Sequence, residues 1–276
     1  MSTLFRLFSR CPLGLLHALG AALGWLSFAL SPSYRRRFVS NAAQAGYRFA
    51  QVRGAVAHAG RMTAELPRLW LGGSVRVEWD GTPCLDAAYA AGKGVLFLTP
   101  HMGCFEVIAQ GLAQRYSPAH GPITVLYRPA RQPWLAEVME GSRQRPGLET
   151  APTTLAGVRQ MIKALRAGRA VGLLPDQVPP DGMGQWAPFF GQSAYTMTLA
   201  ARLALQTGAT VLLVWGERLS WGRGFRLHFS ELQQPLAGEL GPAVVQVNGE
   251  MERLIRACPA QYLWGYARYK QPRKEG

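Results

Sequence analysis

Apolar side chains dominate the first 34 residues of the chain. No formal charge occurs in the 24 residues from Cys11 to Tyr34, and leucines supply much of that stretch. A helix of this length can cross a bilayer. Two arginines precede the stretch, whereas Arg35 to Arg37 follow it, and this balance favours a cytoplasmic location for the rest of the chain. The pattern predicts an N-terminal membrane anchor over residues 1–34.

Two other interpretations of this stretch stay open. A basic start, an apolar run and the small residues Ser27 and Ala29 are also typical of a cleaved signal peptide, although the arginines directly afterwards would oppose translocation. The glycines and Pro12 also permit a helix that lies in the membrane interface instead of crossing it. Whether the helix spans or lies in the interface, the chain is tethered to a membrane.

Residues 35–72 are predicted to be helical. Apolar side chains form a broad stripe beside several arginines, a pattern that fits ordinary packing on the core. The same basic amphipathic segment, next to an anchor, could instead lie on anionic headgroups.

Beyond Gly72, short apolar runs alternate with helical stretches. The runs cover residues 95–98, 123–127, 170–174 and 210–215, and the helical stretches lie near 105–115, 133–144, 155–167 and 196–207. This alternation predicts one α/β domain over residues 73–276 with a mostly parallel central sheet flanked by helices. Ligands of such sheets bind at the carboxyl ends of the strands.

Charge and composition narrow the possible partners. The 30 Lys and Arg residues against 16 Asp and Glu give a formal charge of +14, which favours nucleic acid, anionic lipid or an acidic carrier protein. No zinc-finger, RNA-binding or helix-turn-helix pattern is present, so we predict lipid and not nucleic acid. Four dispersed cysteines form no CxxC pair, and neither a disulfide framework nor a metal site is expected. Cys104 is predicted to be a buried packing residue and not a nucleophile.

His101 and Glu106 are the candidate chemical groups. They follow the apolar run 95–98 and are five residues apart, a separation of about 140° on a continuous helix, so they meet only if His101 lies in a turn and Glu106 opens the next helix. Glu106 would then accept a hydrogen bond from one ring nitrogen while the other takes a proton from a substrate hydroxyl. This needs no nucleophilic serine, and the chain has no G-x-S-x-G motif. The alternative is a core histidine in a non-catalytic lipid-binding protein.

A series of ordered motifs extends this pattern to the C-terminus. It comprises Tyr127-Arg128-Pro129, Gly141-Ser142-Arg143, Leu174-Pro175-Asp176-Gln177, Ala187-Pro188-Phe189-Phe190-Gly191 and Pro259-Ala260-Gln261-Tyr262-Leu263-Trp264. Together with His-x-x-x-x-Glu, the series resembles the lysophospholipid acyltransferase superfamily and, within it, the lipid A late acyltransferases. Residues 178–182 and 185–187 depart from that pattern, which leaves the acceptor open.

The resemblance implies an activity and roles for individual residues. It implies acyl transfer from acyl carrier protein to a hydroxyl of a lipid A precursor at the cytoplasmic face of the bacterial inner membrane, without metal or cofactor. Arg143 would stabilise the reacting carbonyl or bind phosphate, and Arg128, Asp176 and Gln177 would assist substrate binding; Asp176 could equally form a structural ion pair with an arginine. Coenzyme A as donor stays open, as does a lysophospholipid, ornithine lipid or phosphatidylinositol mannoside as acceptor.

Overall fold

The computed structural model describes residues 2–127 and 145–273. The helices are α1 (Ser2–Phe8), α2 (Leu13–Leu30), α3 (Pro32–Gln44), α4 (Phe49–Val52), α5 (Gly54–Ala64), α6 (Leu66–Leu71), α7 (Thr82–Ala90), α8 (Glu106–Arg115), α9 (Ser117–His120), α10 (Leu155–Arg166), α11 (Leu199–Thr207) and α12 (Leu240–Ala257). The strands are β1 (Val77–Asp80), β2 (Val95–Leu98), β3 (Ile123–Tyr127), β4 (Leu148–Pro152), β5 (Ala170–Leu173), β6 (Gly184–Phe189), β7 (Gln192–Met197), β8 (Thr210–Arg218) and β9 (Phe225–Glu231).

The central sheet has seven strands in the order β1-β9-β8-β2-β5-β3-β4. Five neighbouring strands, from β8 to β4 in that order, run parallel to one another. Strand β9 is antiparallel to β8, and β1 at the edge is parallel to β9. The separate pair β6 and β7 forms an antiparallel hairpin. The predicted α/β fold with a mostly parallel sheet and flanking helices is therefore confirmed.

The predicted apolar runs correspond closely to the inner strands. Residues 95–98 and 123–127 are β2 and β3, the run from 170 forms β5, and the run from 210 forms β8 and continues to Arg218. All four residues of β2 are buried, as expected for a strand covered on both faces. Strands β1, β4, β6, β7 and β9 were not predicted, because they are half-exposed and lack a continuous apolar run.

Residues 35–72 are helical as predicted, but the helix is broken into α3, α4, α5 and α6. Pro32 opens α3, where the hydroxyl of Ser31 accepts the backbone N–H of Tyr34 at 3.4 Å. Gly46, with φ of +87°, follows the end of this helix. The apolar stripe packs against the sheet through side chains that are almost fully buried, including Phe38, Val56 and Leu69.

The N-terminal apolar stretch forms α2, which is long and apolar enough to cross a membrane by length and composition. Core helices of soluble proteins and signal sequences share these properties, so they do not decide how the helix meets a membrane. One face of α2 packs tightly on α5. A side chain added at Gly24 would meet the carbonyl of Val56, and one added at Gly60 would meet the carbonyl of Gly20. Helix α2 is thus attached to the domain along its length.

We expect Gly60→Ala to force α2 and α5 apart and to lower the free energy of unfolding by about 1 to 3 kcal/mol, the usual cost of overpacking. Thermal unfolding followed by circular dichroism measures the change. Gly249→Ala is the matched control, because Gly249 lies in α12 with open space around it. That substitution should leave the melting temperature unchanged or raise it. Equal melting temperatures for the two variants would show that the contact between α2 and α5 is not close.

Candidate active site

Two neighbouring parallel strands end at the same level of the sheet. Leu98 of β2 is paired with Leu173 of β5, and the N–H of Thr99 donates to the carbonyl of Leu173 at 3.1 Å. His101 and Asp176 each lie three residues beyond the paired strand ends. The equal spacing places both side chains at the carboxyl edge of the sheet, where α/β domains bind their ligands.

The Asp176 carboxylate makes two hydrogen bonds with His101. Its Oδ1 atom lies 2.7 Å from ring Nδ1, and its Oδ2 atom accepts the backbone N–H at 2.9 Å. Burial by itself raises the pKa of Asp176, but the charge and hydrogen bonds of His101 and the charge of Arg268 outweigh this effect and hold the pKa below its ordinary value. An ionised carboxylate only accepts hydrogen bonds, so Nδ1 carries a proton, and in the neutral form of this ring the lone pair is on Nε2.

The imidazole and the carboxylate differ in exposure. The Asp176 side chain is 3% exposed, whereas that of His101 is 19% exposed. A buried acid thus fixes the orientation of a ring that solvent and substrate can still reach. This arrangement suits a general base whose Nε2 accepts a proton.

Glu106 is located as predicted, but its contact differs from the prediction. It is the first residue of α8, directly after the turn that carries His101. The carboxylate bonded to Nδ1 is nevertheless that of Asp176, and the Oε2 atom of Glu106 accepts the indole N–H of Trp70 at 3.2 Å. Asp176 therefore takes the position that the prediction gave to Glu106 at one ring nitrogen, because the pairing of β2 with β5 brings this buried acid to the ring.

The turn between His101 and α8 is fixed to two other segments. The N–H of Gly103 donates to the carbonyl of Gln261 at 2.9 Å, and the N–H of Cys104 donates to the carbonyl of Gly216 at 2.8 Å. Gly103 has φ of +56°, and a side chain there would collide with the carbonyl of Gly216. Glycine is therefore required where the turn presses against β8.

A buried ion pair also holds this turn. Arg218, at the end of β8, makes two hydrogen bonds with Glu65, at 2.6 and 2.7 Å, and donates a further one to the carbonyl of Gly103 at 2.9 Å. The Oε2 atom of Glu65, which accepts one of these bonds, also lies 3.0 Å from Nε2 of His17 in α2. Side chains of Arg218 and Glu65 are each 1% exposed. This network joins helix α2 to the turn between His101 and α8.

Burial and charge shift the pKa values within the network. Burial raises the pKa of Glu65, but the charge and hydrogen bonds of Arg218 and His17 outweigh it and lower the pKa to about 2. Burial together with Arg218 and Arg61 lowers the pKa of His58 to about 3. At neutral pH Glu65 is thus charged and His58 is neutral.

Sequence reasoning did not identify Glu65 or Arg218. One signal was available, because Glu65 is the only acidic residue among the first 77 positions and lies among arginines. A second was the cation that ends the buried run of β8. Both suggest a buried pair, but 153 positions separate the partners, and no local pattern shows that they meet.

The remaining predicted residues are placed as follows. Gln177 is half-buried directly after Asp176. Arg128 and Arg143 lie outside the described residues, as does the predicted helix near 133–144.

Cys104 is buried, and burial raises its thiol pKa well above the usual range, which confirms its interpretation as a packing residue. Among the described residues, no group of three His, Cys, Asp or Glu side chains could hold a metal ion.

A cleft of about 560 Å³ lies beside α8, and Val107, the residue after Glu106, is part of its lining. Its walls are largely apolar and include Leu69, Val75, Val107 and Leu148. Arg145 closes one side, where its guanidinium donates to the carbonyls of Leu69 and Trp70, each at 2.7 Å. The volume and lining fit an apolar small-molecule or acyl group.

Comparison with known proteins gives consistent matches. The family model of the bacterial lipid A biosynthesis acyltransferases matches residues 50–271. The lipid A biosynthesis palmitoleoyltransferase of Escherichia coli (strain K12) is 27% identical over 206 residues, which cover 73% of this chain and 64% of that protein. Its lauroyltransferase is 27% identical over 187 residues, covering 67% and 58%. The phosphatidylinositol mannoside acyltransferase of Mycobacterium tuberculosis (strain ATCC 25618 / H37Rv) is 30% identical over 148 residues, covering 51% and 45%. The matches thus span less than two thirds of each relative.

Replacing Glu65 with glutamine should destabilise the protein by about 3 to 5 kcal/mol, because Arg218 would remain buried without its counter-charge. Chemical denaturation at neutral pH measures the loss. The lowered pKa means that Glu65 stabilises the wild type above its ordinary pKa of 4.5, and that this contribution fades as the pH falls towards about 2. Glu78→Gln, which breaks a solvent-exposed pair with Arg226, is the control and should leave stability unchanged. If both variants unfold at the same denaturant concentration, the loss of the Glu65 charge does not destabilise the fold.

Proposed function

The chain belongs to the bacterial lipid A biosynthesis acyltransferase family, and from this premise we propose that it transfers a fatty acyl chain from a thioester onto a hydroxyl of a lipid A precursor. The observation that carries the proposal is the 2.7 Å contact between the partly exposed His101 ring and the buried Asp176 carboxylate. This contact supplies an oriented base at the carboxyl edge of the sheet.

The reaction follows from the tautomer that Asp176 imposes. Nε2 of His101 removes the proton of the acceptor hydroxyl while its oxygen attacks the thioester carbonyl carbon. A C–O bond forms, and the carbonyl electron pair moves onto oxygen. When that pair returns, the C–S bond breaks, and the imidazolium gives its proton to the departing sulfur. Asp176 stabilises the imidazolium between these two steps, and His101 ends neutral.

We assign supporting roles to the other candidate residues. Glu106, fixed by Trp70 at the start of α8, contributes negative charge near the imidazolium and completes the acidic surroundings of His101. Arg143, together with backbone N–H groups, stabilises the oxyanion of the thioester carbon or binds an acceptor phosphate. Arg128 and Gln177 contact the substrate. The cleft beside α8 receives the acyl chain, because its walls are largely apolar and include Val107, which follows Glu106 in the chain.

The donor we propose is acyl carrier protein. Its acidic surface suits a chain with a formal charge of +14, and a phosphorylated acceptor lipid suits that charge equally. The second candidate acceptor is a phosphatidylinositol mannoside, which the similarity to the Mycobacterium tuberculosis acyltransferase favours. We place the protein at the bacterial inner membrane, with residues 1–34 as anchor and the domain on the cytoplasmic face.

Mass spectrometry of the lipids of cells with and without the gene tests this function. We expect one acylated lipid A species to disappear without the gene, to return with the wild-type gene and to stay absent with His101→Ala. His120→Ala, which changes an exposed histidine on α9, should restore the lipid. A lipid profile restored by His101→Ala would contradict the enzyme and favour a non-catalytic lipid-binding protein. Purified enzyme with labelled acyl carrier protein or acyl coenzyme A then distinguishes the donors.

We expect Asp176→Asn to lower kcat by roughly 10²- to 10⁴-fold, the range attributed to a positioned general base. Only a carboxylate accepts from both the ring and the backbone of His101, so the amide group would oppose one of these donors. Asp181→Asn alters an exposed acid whose carboxylate accepts the N–H of its neighbour Gly182, and this variant should keep wild-type kcat. If the kcat of Asp176→Asn is within threefold of that of Asp181→Asn, Asp176 does not orient the His101 ring for catalysis.

A further inference from the structure

The outer face of α2 carries a stripe of exposed leucines. Their side chains are between 43% and 73% exposed. At about 100° per residue they fall within an arc of about 80° around the helix. The stripe consists of Leu15, Leu19, Leu23, Leu26 and Leu30. Leucines in this number and alignment are too many for an ordinary solvated helix face.

The inner face of the same helix belongs to the folded domain. Its buried residues include Gly20 and Gly24, which meet the backbone of α5. His17 reaches the buried network at Glu65, and Arg61 donates to the carbonyl of His17 at 3.3 Å. If α2 crossed the bilayer in this arrangement, α5 and these charged groups would have to enter the hydrocarbon as well. Ionisable groups at membrane depth are costly, which argues against a crossing helix.

A second apolar group lies at the start of α2. Trp221 is 94% exposed and has φ of +61°, a backbone conformation that costs free energy for an aromatic residue. Its backbone carbonyl faces Gly14, and a side chain on the next residue, Gly222, would collide with Gly14. Tryptophan is enriched where membranes meet water, because its ring enters the apolar layer while its N–H stays hydrated.

Exposed arginines surround both groups. Arg6 and Arg10 precede α2, Arg35 to Arg37 follow it, and Arg223 lies two residues after Trp221. The first acidic residue of the chain is Glu65, which is buried. Apolar side chains bordered by cations fit the anionic headgroup layer of a membrane. A second copy of the chain fits less well, because a two-fold axis would bring the same arginines together.

We propose that the outer face of α2 and the Trp221 turn form one docking surface for an anionic lipid leaflet, with α2 lying in the plane of the membrane and not crossing it. This inference rests on the proposed function only for the idea that a lipid acceptor must be reached from the bilayer. It assigns Trp221 a role in lipid binding and selects the interfacial arrangement of the N-terminal segment.

Vesicle flotation of the purified full-length protein tests the surface. We expect binding to phosphatidylcholine–phosphatidylglycerol vesicles to exceed binding to phosphatidylcholine vesicles and to weaken with salt. Leu23→Glu should weaken binding about tenfold or more, and Trp221→Ala about threefold or more, because each removes an exposed apolar side chain that docking would place in the membrane. Leu155→Glu and Trp186→Ala change exposed apolar residues on α10 and β6 and should bind as the wild type does. Equal binding by the test and control variants would overturn the proposal.

Thiol labelling separates docking from crossing. Cys11 lies before α2, and Ser33→Cys adds a thiol after it; Cys84→Ser and Cys258→Ser remove other partly exposed thiols, and Cys104 is buried. With a membrane-impermeant maleimide, we expect both thiols to react in inverted inner-membrane vesicles and neither to react in intact spheroplasts. If one thiol reacts only in the vesicles and the other only in the spheroplasts, α2 crosses the membrane and the proposal is wrong.

Both measurements are independent of turnover. His101→Ala should float and label as the wild type does, because His101 lies outside the docking surface. Loss of acyl transfer with normal docking would therefore count against the enzyme alone, whereas normal transfer with unaltered flotation of Trp221→Ala and Leu23→Glu would count against the docking surface alone.

Discussion

A buried carboxylate must be satisfied by hydrogen bonds, and the site depends on how this is done for Asp176. Both of its oxygens are used by His101, one by the ring and one by the backbone. The acid therefore fixes the rotation of the imidazole, its tautomer and the path of the turn at the same time. The pairing of β2 with β5 supplies this geometry, because their flush ends carry the two residues at equal distances. The register of β2 against β5 thus determines whether Asp176 can orient the His101 ring.

The ion pair of Arg218 and Glu65 plays a complementary part on the other side of the turn. It joins the end of β8, the helices before β1 and, through His17, the N-terminal helix. A buried pair of this kind contributes less net stability than its short distances suggest, because both charges were removed from water. The pair instead restricts the conformation of the turn, because Arg218 can bond Glu65 and the Gly103 carbonyl at the same time in few arrangements. Helix α2 is consequently part of the scaffold that holds the turn after His101.

Sequence patterns predicted those features that depend on neighbouring residues. The inner strands are continuous apolar runs, and His101 lies in a strand-to-helix turn with Glu106 opening the helix, as its spacing required. The partner of His101 could not be deduced in this way, because the strand order that brings β5 beside β2 is encoded in packing across the whole domain. Glu106 is five positions from His101, whereas Asp176, the acid that bonds its ring, is 75 positions away. The half-exposed strands and the break-up of residues 35–72 likewise depend on tertiary contacts and single glycine or proline positions.

The separation of 75 positions between His101 and Asp176 also determines how much of the chain must fold before the ring is oriented. Parallel pairing of β2 and β5 requires the chain to close a long loop that contains β3 and β4. A nascent or partly folded chain would hold an unoriented histidine and no competent base. The whole domain is thus required before the ring has a fixed orientation, because no local segment of the chain contains both partners.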